Sequence, residues 1–334
     1  MFYGRRMQLI LIALSTLCAS VPMLAFLLLI WWLDRYDREP IWLVLLTFAW
    51  GAFGATGLSL ILNSAFASGL AMALGPEMAD MITAPLVAPL VEEPMKALIL
   101  FVIMFSRHYD SANDGFVYGA AAGLGFGMTE NFLYFYQVSG DTGTWMQTVF
   151  IRTFFSALMH AGATSAVGAA LGYARFSGTL AKVLALPAAF FVACGMHFAW
   201  NGLLTLGGVA GSGWPVLLNF LLFPLEFLAL FLVFQFALWH ERKVIRRELA
   251  DEVEQGLIPL AHARNIASWL KRGRRDWVPV GVPHHQYVRA ATTLALRKHQ
   301  CRNSTGSAHD FFREDVLRLR RELQALLALA DRSR

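Results

Sequence analysis

Seven apolar runs follow one another between Leu9 and Leu238, each about as long as a bilayer is thick. They are Leu9–Leu33, Ile41–Leu62, Met81–Phe105, Gly115–Tyr136, Val149–Tyr173, Leu180–Leu206 and Trp214–Leu238. A hydrocarbon core of about 30 Å is crossed by about 20 helical residues. Within it each backbone N–H and C=O must find its partner inside the segment, which selects helices. A chain that is 57% apolar, with 26 Phe and 10 Trp, is no soluble globule. The expected fold is all-α: a polytopic transmembrane helix bundle of seven spans. A short apolar piece, Phe66–Leu74, suits an interfacial or re-entrant segment, and a full dip there would make eight spans. The first run ends in Trp31-Trp32 without a small-residue cleavage site, so it reads as an uncleaved span. Three scattered cysteines, Cys18, Cys194 and Cys301, exclude a disulfide framework and a cysteine zinc site.

The charge is divided unevenly. From His240 to Arg334 there are 19 Lys/Arg against 11 Asp/Glu, a net +8, while the remainder carries 9 against 12, a net −3. The chain therefore divides into a membrane domain, 1–239, and a basic helical tail, 240–334. The loop holding Arg175 and Lys182 falls on the tail's side, whereas Val138–Gln147 and Gly207–Gly213 hold no Lys or Arg. Basic residues in short loops stay in the cytoplasm, so the tail is expected there, beneath the cell membrane. Seven spans then leave Arg5 and Arg6 outside, which is the argument for an eighth. In the tail, Phe311–Leu329 has apolar residues at helical spacing, suited either to a membrane surface or to a helical hairpin. The Lys271–Arg275 cluster is expected to meet anionic lipid and no specific nucleic acid.

Ionisable residues inside the runs single out a site. Glu92-Glu93-Pro94-Met95-Lys96 lies within Met81–Phe105, and on a helix Lys96 reaches both acids, at i,i+4 and i,i+3. Gly115, Gly119, Gly123 and Gly127, spaced by fours, allow a neighbouring helix to come close, and Glu130 and Asn131 follow one turn later. Arg152, Ser156, His160 and Thr164 form a stripe along one face of the fifth run, and His197 and Asn201 are four apart in the sixth. Arg152 is near enough to the span's start to snorkel to the interface. Glu226, in the seventh run, has no sequence partner. Taken singly, an ion pair can glue helices and a buried His can be a hydrogen-bond partner. Together, such charges must converge on one polar cavity, because hydrocarbon does not tolerate them apart.

These residues resemble the PrsW family of intramembrane proteases, grouped with the prenyl-protein (CAAX) and bacteriocin-processing proteases. The resemblance rests on Glu92-Glu93-x-x-Lys96, Phe126-x-x-x-Glu130-Asn131, His160, and His197-x-x-x-Asn201, and on the charged knot Asp34–Pro40 before an apolar run. It spans about Asp34 to Leu206. The prenyl-protease branch would carry an Arg in place of the lysine and a His ending the Phe-x-x-x motif. Lys96 and Glu130 favour the PrsW branch. The resemblance implies cleavage of a single-span membrane protein, such as a membrane-anchored anti-sigma factor. It does not cover the tail.

Peptide hydrolysis needs an activated water, an oxyanion stabiliser and a proton donor for the leaving amine. The expected acid/base centre is Glu92 and Glu93 with Lys96 holding one of them charged. Glu130 or His160 would assist proton transfer, and His197 and Asn201 would face the oxyanion, with Asn131, Arg152 and Phe126 in support. No His-Glu-x-x-His spacing demands a metal, so no cofactor is expected. Zinc on Glu93, Glu130, His160 and His197 is the alternative. Outside proteolysis, the same residues would suit a proton-coupled transporter or an interaction scaffold.

Overall fold

The computed structural model describes residues 2–34, 38–106, 108–109 and 111–332, with side chains from 8 to 330. Arg35–Asp37 of the charged knot, Arg107, and the side chains of Arg5 and Arg6 lie outside the described residues. Every regular element among those described is helical. α1 (Phe2–Leu33) precedes a continuous rod made of α2 (Ile41–Ala49), a π-helical turn (Trp50–Ala55) and α3 (Thr56–Leu74). Gly75, at φ 86°, turns the chain into α4 (Pro76–Ile82), a second π-helical turn (Thr83–Val87) and α5 (Ala88–Ile103). Next come α6 (Ala112–Gln137) and a rod of α7 (Thr142–Ile151), a third π-helical turn (Arg152–Ser156) and α8 (Ala157–Arg175). α9 (Thr179–Ala210) and α10 (Trp214–Glu254) are single long helices. The tail adds α11 (Leu260–Ile266), α12 (Trp269–Arg272), α13 (His284–Arg302) and α14 (Ser307–Arg332).

Among the described residues, five rods are long and apolar enough to cross a membrane: Gln8–Leu33, Ile41–Leu74, Thr142–Arg175, Thr179–Ala210 and Trp214–Glu254. The other two expected spans are also helices, α5 and α6, but their composition is less apolar. α5 carries Glu92, Glu93 and Lys96, and α6 is crowded with glycine and alanine. Phe66–Leu74 is not a separate dip through the bilayer. It is the end of the same rod that begins at Ile41, because nothing breaks the helix before Gly75.

α6 is the axis of the bundle, buried along most of its length. Its glycines do what their spacing suggests. A Cβ on Gly115, Gly119 or Gly123 would come within 2.0, 2.4 or 2.3 Å of the carbonyl oxygens of Gly168, Thr164 and His160 on α8. On the opposite face, a Cβ on Gly125 would meet the Phe48 oxygen at 2.0 Å. Backbone-to-backbone packing of this kind fixes where the side chains of α6 and α8 meet.

One end of the bundle gathers the ends of α1, α5 and α8 with the start of α6. The Asp34 carboxylate accepts from Asn113 Nδ2 at 2.7 Å, and Arg175 donates to the carbonyls of Tyr109 and Ser106 at 2.6 and 3.1 Å. Tyr118 donates its hydroxyl hydrogen to Glu39. α10 passes the same end, with His240 edge-on to Tyr173 at 5.7 Å between ring centroids. It continues for 41 residues, a rod of about 60 Å, and enters a second apolar core formed with α11, α13 and α14. There Val316, Leu319, Leu323 and Leu326 of α14 are buried. Of the two uses open to Phe311–Leu329, packing within a helical hairpin is the one found. Ion pairs close this core: Lys298 to Glu252 at 2.6 Å, Arg320 to Glu252 at 2.7 Å, and Arg302 to Asp251.

Candidate active site

Each π-helical turn has a carbonyl captured by a polar side chain from another element. Thr129 Oγ1 donates to Ala52 O at 2.7 Å, Asn201 Nδ2 to Ala84 O at 2.9 Å, and Asn131 Nδ2 to Arg152 O at 3.4 Å. Widening a helix to the π pitch disturbs its regular hydrogen-bond ladder, and in lipid a neighbouring side chain must answer for any carbonyl this frees. The three turns flank the place where α5, α6, α8 and α9 bring their ionisable residues together, joined by Asn63 of α3.

Glu93 and Lys96, both fully buried, form the centre. Lys96 Nζ lies 2.8 Å from Glu93 Oε1, 2.9 Å from His160 Nδ1 and 3.7 Å from Glu92 Oε2, and 4.0 Å above the Phe126 ring. Glu93 Oε1 also receives His197 Nδ1 at 2.8 Å, while Thr164 Oγ1 donates to Glu93 Oε2 at 3.4 Å. An oxygen facing two donors is a carboxylate, and both its hydrogen-bonding positions are in use. On the other side, His160 Nε2 meets Glu130 Oε2 at 2.6 Å, and the same oxygen pairs with Arg152 at 2.7 Å. Arg152 further donates to Asn131 Oδ1 at 3.1 Å and lies 3.7 Å over the Tyr134 ring. It therefore does not snorkel: its charge is held inside by Glu130.

The tautomers follow from the partners. Lys96 can only donate, so a neutral His160 accepts at Nδ1 and gives its Nε2 proton to Glu130. Glu93 can only accept, so a neutral His197 carries its proton at Nδ1 and keeps a lone pair at Nε2. That lone pair faces Glu92 Oε2 across 3.8 Å. Glu92 Oε1 accepts from Asn63 Nδ2 at 3.1 Å, whereas Glu92 Oε2 is buried with no hydrogen bond. Three carboxylates thus share two permanent cations, and Glu92 is the one held least closely, 3.7 Å from Lys96.

Glu92 and Glu130 line a cavity of about 480 Å³ whose wall also includes Asn63, Asp80, Tyr134 and Asn201. It lies toward the end of α6 at Gln137, away from the tail.

The expected residues are thus mostly brought together. Asn201 lines the cavity but holds the π-turn carbonyl of Ala84, outside the ionic cluster. His197 spends Nδ1 on Glu93 Oε1 at 2.8 Å, and its Nε2 faces Glu92 Oε2 at 3.8 Å. Glu226 has no ion-pair or hydrogen-bond partner among the described residues. Sequence reasoning missed Asn63, which lies where the run Ile41–Leu62 was taken to end, although its lone amide beside an apolar run was a usable signal.

A divalent cation has a donor set here, but not the expected one. The ligand atoms that come within 4.8 Å of one another belong to Glu92, His160 and His197. Glu93 and Glu130 are committed to Lys96 and to Arg152. The unbonded oxygen of Glu92 and the lone pair of His197 suit such an ion, and His160 joins them by releasing Lys96 or Glu130.

A family model described as PrsW family intramembrane metalloprotease matches residues 39–234. Protease PrsW of Bacillus subtilis is 30% identical over 188 residues, 55% of this chain and 79% of that protein. Protease PrsW of Oceanobacillus iheyensis is 32% identical over 196 residues, 57% and 83% of the two chains. That of Geobacillus kaustophilus is 27% identical over 192 residues, 57% and 80%. No solved structure matches the chain.

Proposed function

The chain belongs to the PrsW family of intramembrane proteases, and we propose that it cuts a single-span membrane protein, of the anti-sigma-factor kind, with Glu92 activating the water. The observation that carries this is the unbonded oxygen of Glu92 facing His197 Nε2 across 3.8 Å. A water between two acceptors gives a hydrogen to each and turns a lone pair outward, toward a peptide carbonyl in the cavity. As the water oxygen bonds to that carbon, Glu92 takes its proton. The C–N bond then breaks and the proton passes from Glu92 to the leaving amine. Glu93, Lys96, His160, Glu130 and Arg152 hold this pair in place and supply a fixed field, which needs no rearrangement during reaction. The second amide hydrogen of Asn201 serves the oxyanion from the cavity wall.

A metal-assisted route is the second reading, supported by the clustered atoms of Glu92, His160 and His197 and by the family's description. A zinc ion held by those three would polarise the carbonyl and make its bound water acidic. The metal-free route is favoured by Lys96, whose ammonium already fills the cationic place, 2.9 Å from His160 and 3.7 Å from Glu92.

For topology, the proposal is seven crossings in a cell membrane, residues 1–239 as the membrane domain and 240–334 as a cytoplasmic tail. The gathering of Asp34, Tyr109, Arg175 and His240 at one end supports it, since seven spans bring these positions to one face. The cavity then opens toward the outer half of the bilayer.

The test is the profile of peptides shed from membranes by the wild type and by Glu92→Gln. Peptides lost in the variant identify the substrate. Identical profiles would remove the proposal.

A further inference from the structure

At the tail end of the bundle, far from Glu92 along the fold, two cavities share a wall. The first, of about 400 Å³, is lined by Leu33 at the end of α1, by Phe234 and Leu238 on α10 and by Trp269 on α12. The second, of about 290 Å³, is lined by Trp239, Arg242, Lys243 and Arg246. Trp239 and Arg242 belong to both. The first is mostly apolar, with Gln235 and Arg242 its polar side chains, and the second has no acidic residue in its wall.

The four residues of the second cavity stand at i, i+3, i+4 and i+7, one face of α10. Arg242, Lys243 and Arg246 are exposed, and none has an ion-pair partner among the described residues. The contrast with Lys298, Arg302 and Arg320, all paired with acids of α10, is plain. Leu238 closes the apolar run of α10, and Trp239 and Trp269, about half exposed, sit at that border. Tryptophan prefers this depth, where the ring meets headgroups. Lys243 Nζ lies 5.3 Å over the Trp239 ring, so its charge is held at the same level. On α12, exposed Leu270 follows Trp269, and exposed Lys271 comes next.

We propose that the double cavity holds an anionic phospholipid of the leaflet on the tail side. An acyl chain lies along Phe234 and Leu238, and the phosphate rests against Arg242, Lys243 and Arg246. Unpaired basic residues just beyond a membrane helix attract anionic headgroups, and the adjoining apolar cavity gives the tail of that lipid a place that a nucleic acid would leave empty. The site ties the ends of α1 and α10 to α12, and so fixes the tail against the membrane.

The experiment uses the full chain in phosphatidylcholine vesicles doped with dibrominated phosphatidylglycerol or, at equal mole fraction, dibrominated phosphatidylcholine. Bromine quenching is compared between the wild type and Trp239→Phe/Trp269→Phe, which isolates those two rings. The expected result is a preference for the anionic lipid on the order of 10-fold in apparent affinity, abolished in Arg242→Gln/Lys243→Gln/Arg246→Gln. These positions are exposed and unpaired, so the variant keeps its fold, and Arg246→Gln alone retains part of the preference. Equal quenching by both lipids, or an unchanged preference in the triple variant, overturns the proposal. Binding of a mixed-sequence RNA in neutral detergent that is lost in the triple variant would assign the face to nucleic acid and overturn it as well.

Discussion

Asn63 Nδ2 holds one oxygen of Glu92 at 3.1 Å and leaves the other buried and unbonded, 3.8 Å from His197 Nε2. The two acids of the Glu-Glu pair therefore differ in kind. Glu93 is saturated by Lys96, His197 and Thr164, and Glu92 is held at one oxygen and open at the other.

Exchanging each acid for its amide separates these roles. Glu92→Gln removes a proton acceptor and little else. Cleavage should fall on the order of 100- to 10,000-fold with the melting temperature unchanged. Glu93→Gln leaves Lys96 buried beside a neutral amide, and such breaks cost about 3–5 kcal/mol. It should lower the melting temperature as well as the rate. Thermal melts run beside a cleavage assay check both, and equal melting of the two variants would refute the distinction.

Asn63→Ala should reduce kcat with little change in KM. A hydrogen bond to a charged group contributes about 1.5–3 kcal/mol, so a loss of about 10- to 100-fold bounds the effect. Steady-state kinetics on a substrate segment in detergent give the answer. A KM effect without a kcat effect would make Asn63 part of the substrate groove instead.

Chelation distinguishes the two routes of hydrolysis. With Lys96 in the cationic place, cleavage should survive prolonged dialysis against a strong chelator, and metal analysis of active protein should find less than one equivalent. Activity lost to the chelator and restored by zinc would establish the route through Glu92, His160 and His197.

Gly123→Ala places a methyl group 2.3 Å from the His160 carbonyl oxygen. α6 and α8 must separate there, at a cost of about 1–3 kcal/mol, and the His160–Glu130 contact should loosen with them. Gly195→Ala, where a Cβ meets nothing within 4 Å, is the control. Melting temperature and cleavage rate should drop together in the first and hold in the second.

The tail should loosen on acidification before the bundle does. Burial works against the ionisation of Glu252, but Arg320 and Lys298 outweigh it and hold the carboxyl below its usual range. Burial, with His240, Arg247 and Arg302 nearby, pushes the His299 imidazole down to about 4. Both groups bind protons more tightly in the unfolded tail. Stability is therefore full above about 6.5, declines toward about 4 as His299 resists its proton, and falls again once Glu252 is protonated. Hydrogen exchange of α13 and α14 amides against those of α6 and α8, across that range, follows the loss.

Much of the site was legible because membranes make polarity informative. Glu92, Glu93, Lys96, Glu130, His160 and His197 stood out as groups that hydrocarbon does not tolerate alone, and the glycines at 115, 119 and 123 announced where two backbones would touch. For Arg152 the sequence left two uses open, support of the site and snorkelling, because distance along a span does not reveal a partner. Glu130 on another helix supplies that partner. Phe66–Leu74 looked like a separate dip because its apolar length was short, yet it is the end of a rod already begun.

By itself, then, the sequence determined that the chain is a helical bundle, which residues must meet inside it, and which family it resembles, because apolar length and the cost of buried charge are local properties. Tertiary structure decided which acid is open and which is saturated, that Asn63 sets Glu92, and that Glu92 and not Glu93 keeps an oxygen without a hydrogen bond beside the two histidines. Those outcomes depend on angles and on ångström-scale distances between separate helices, which the π-helical turns and the glycine contacts fix and which no spacing along one helix encodes.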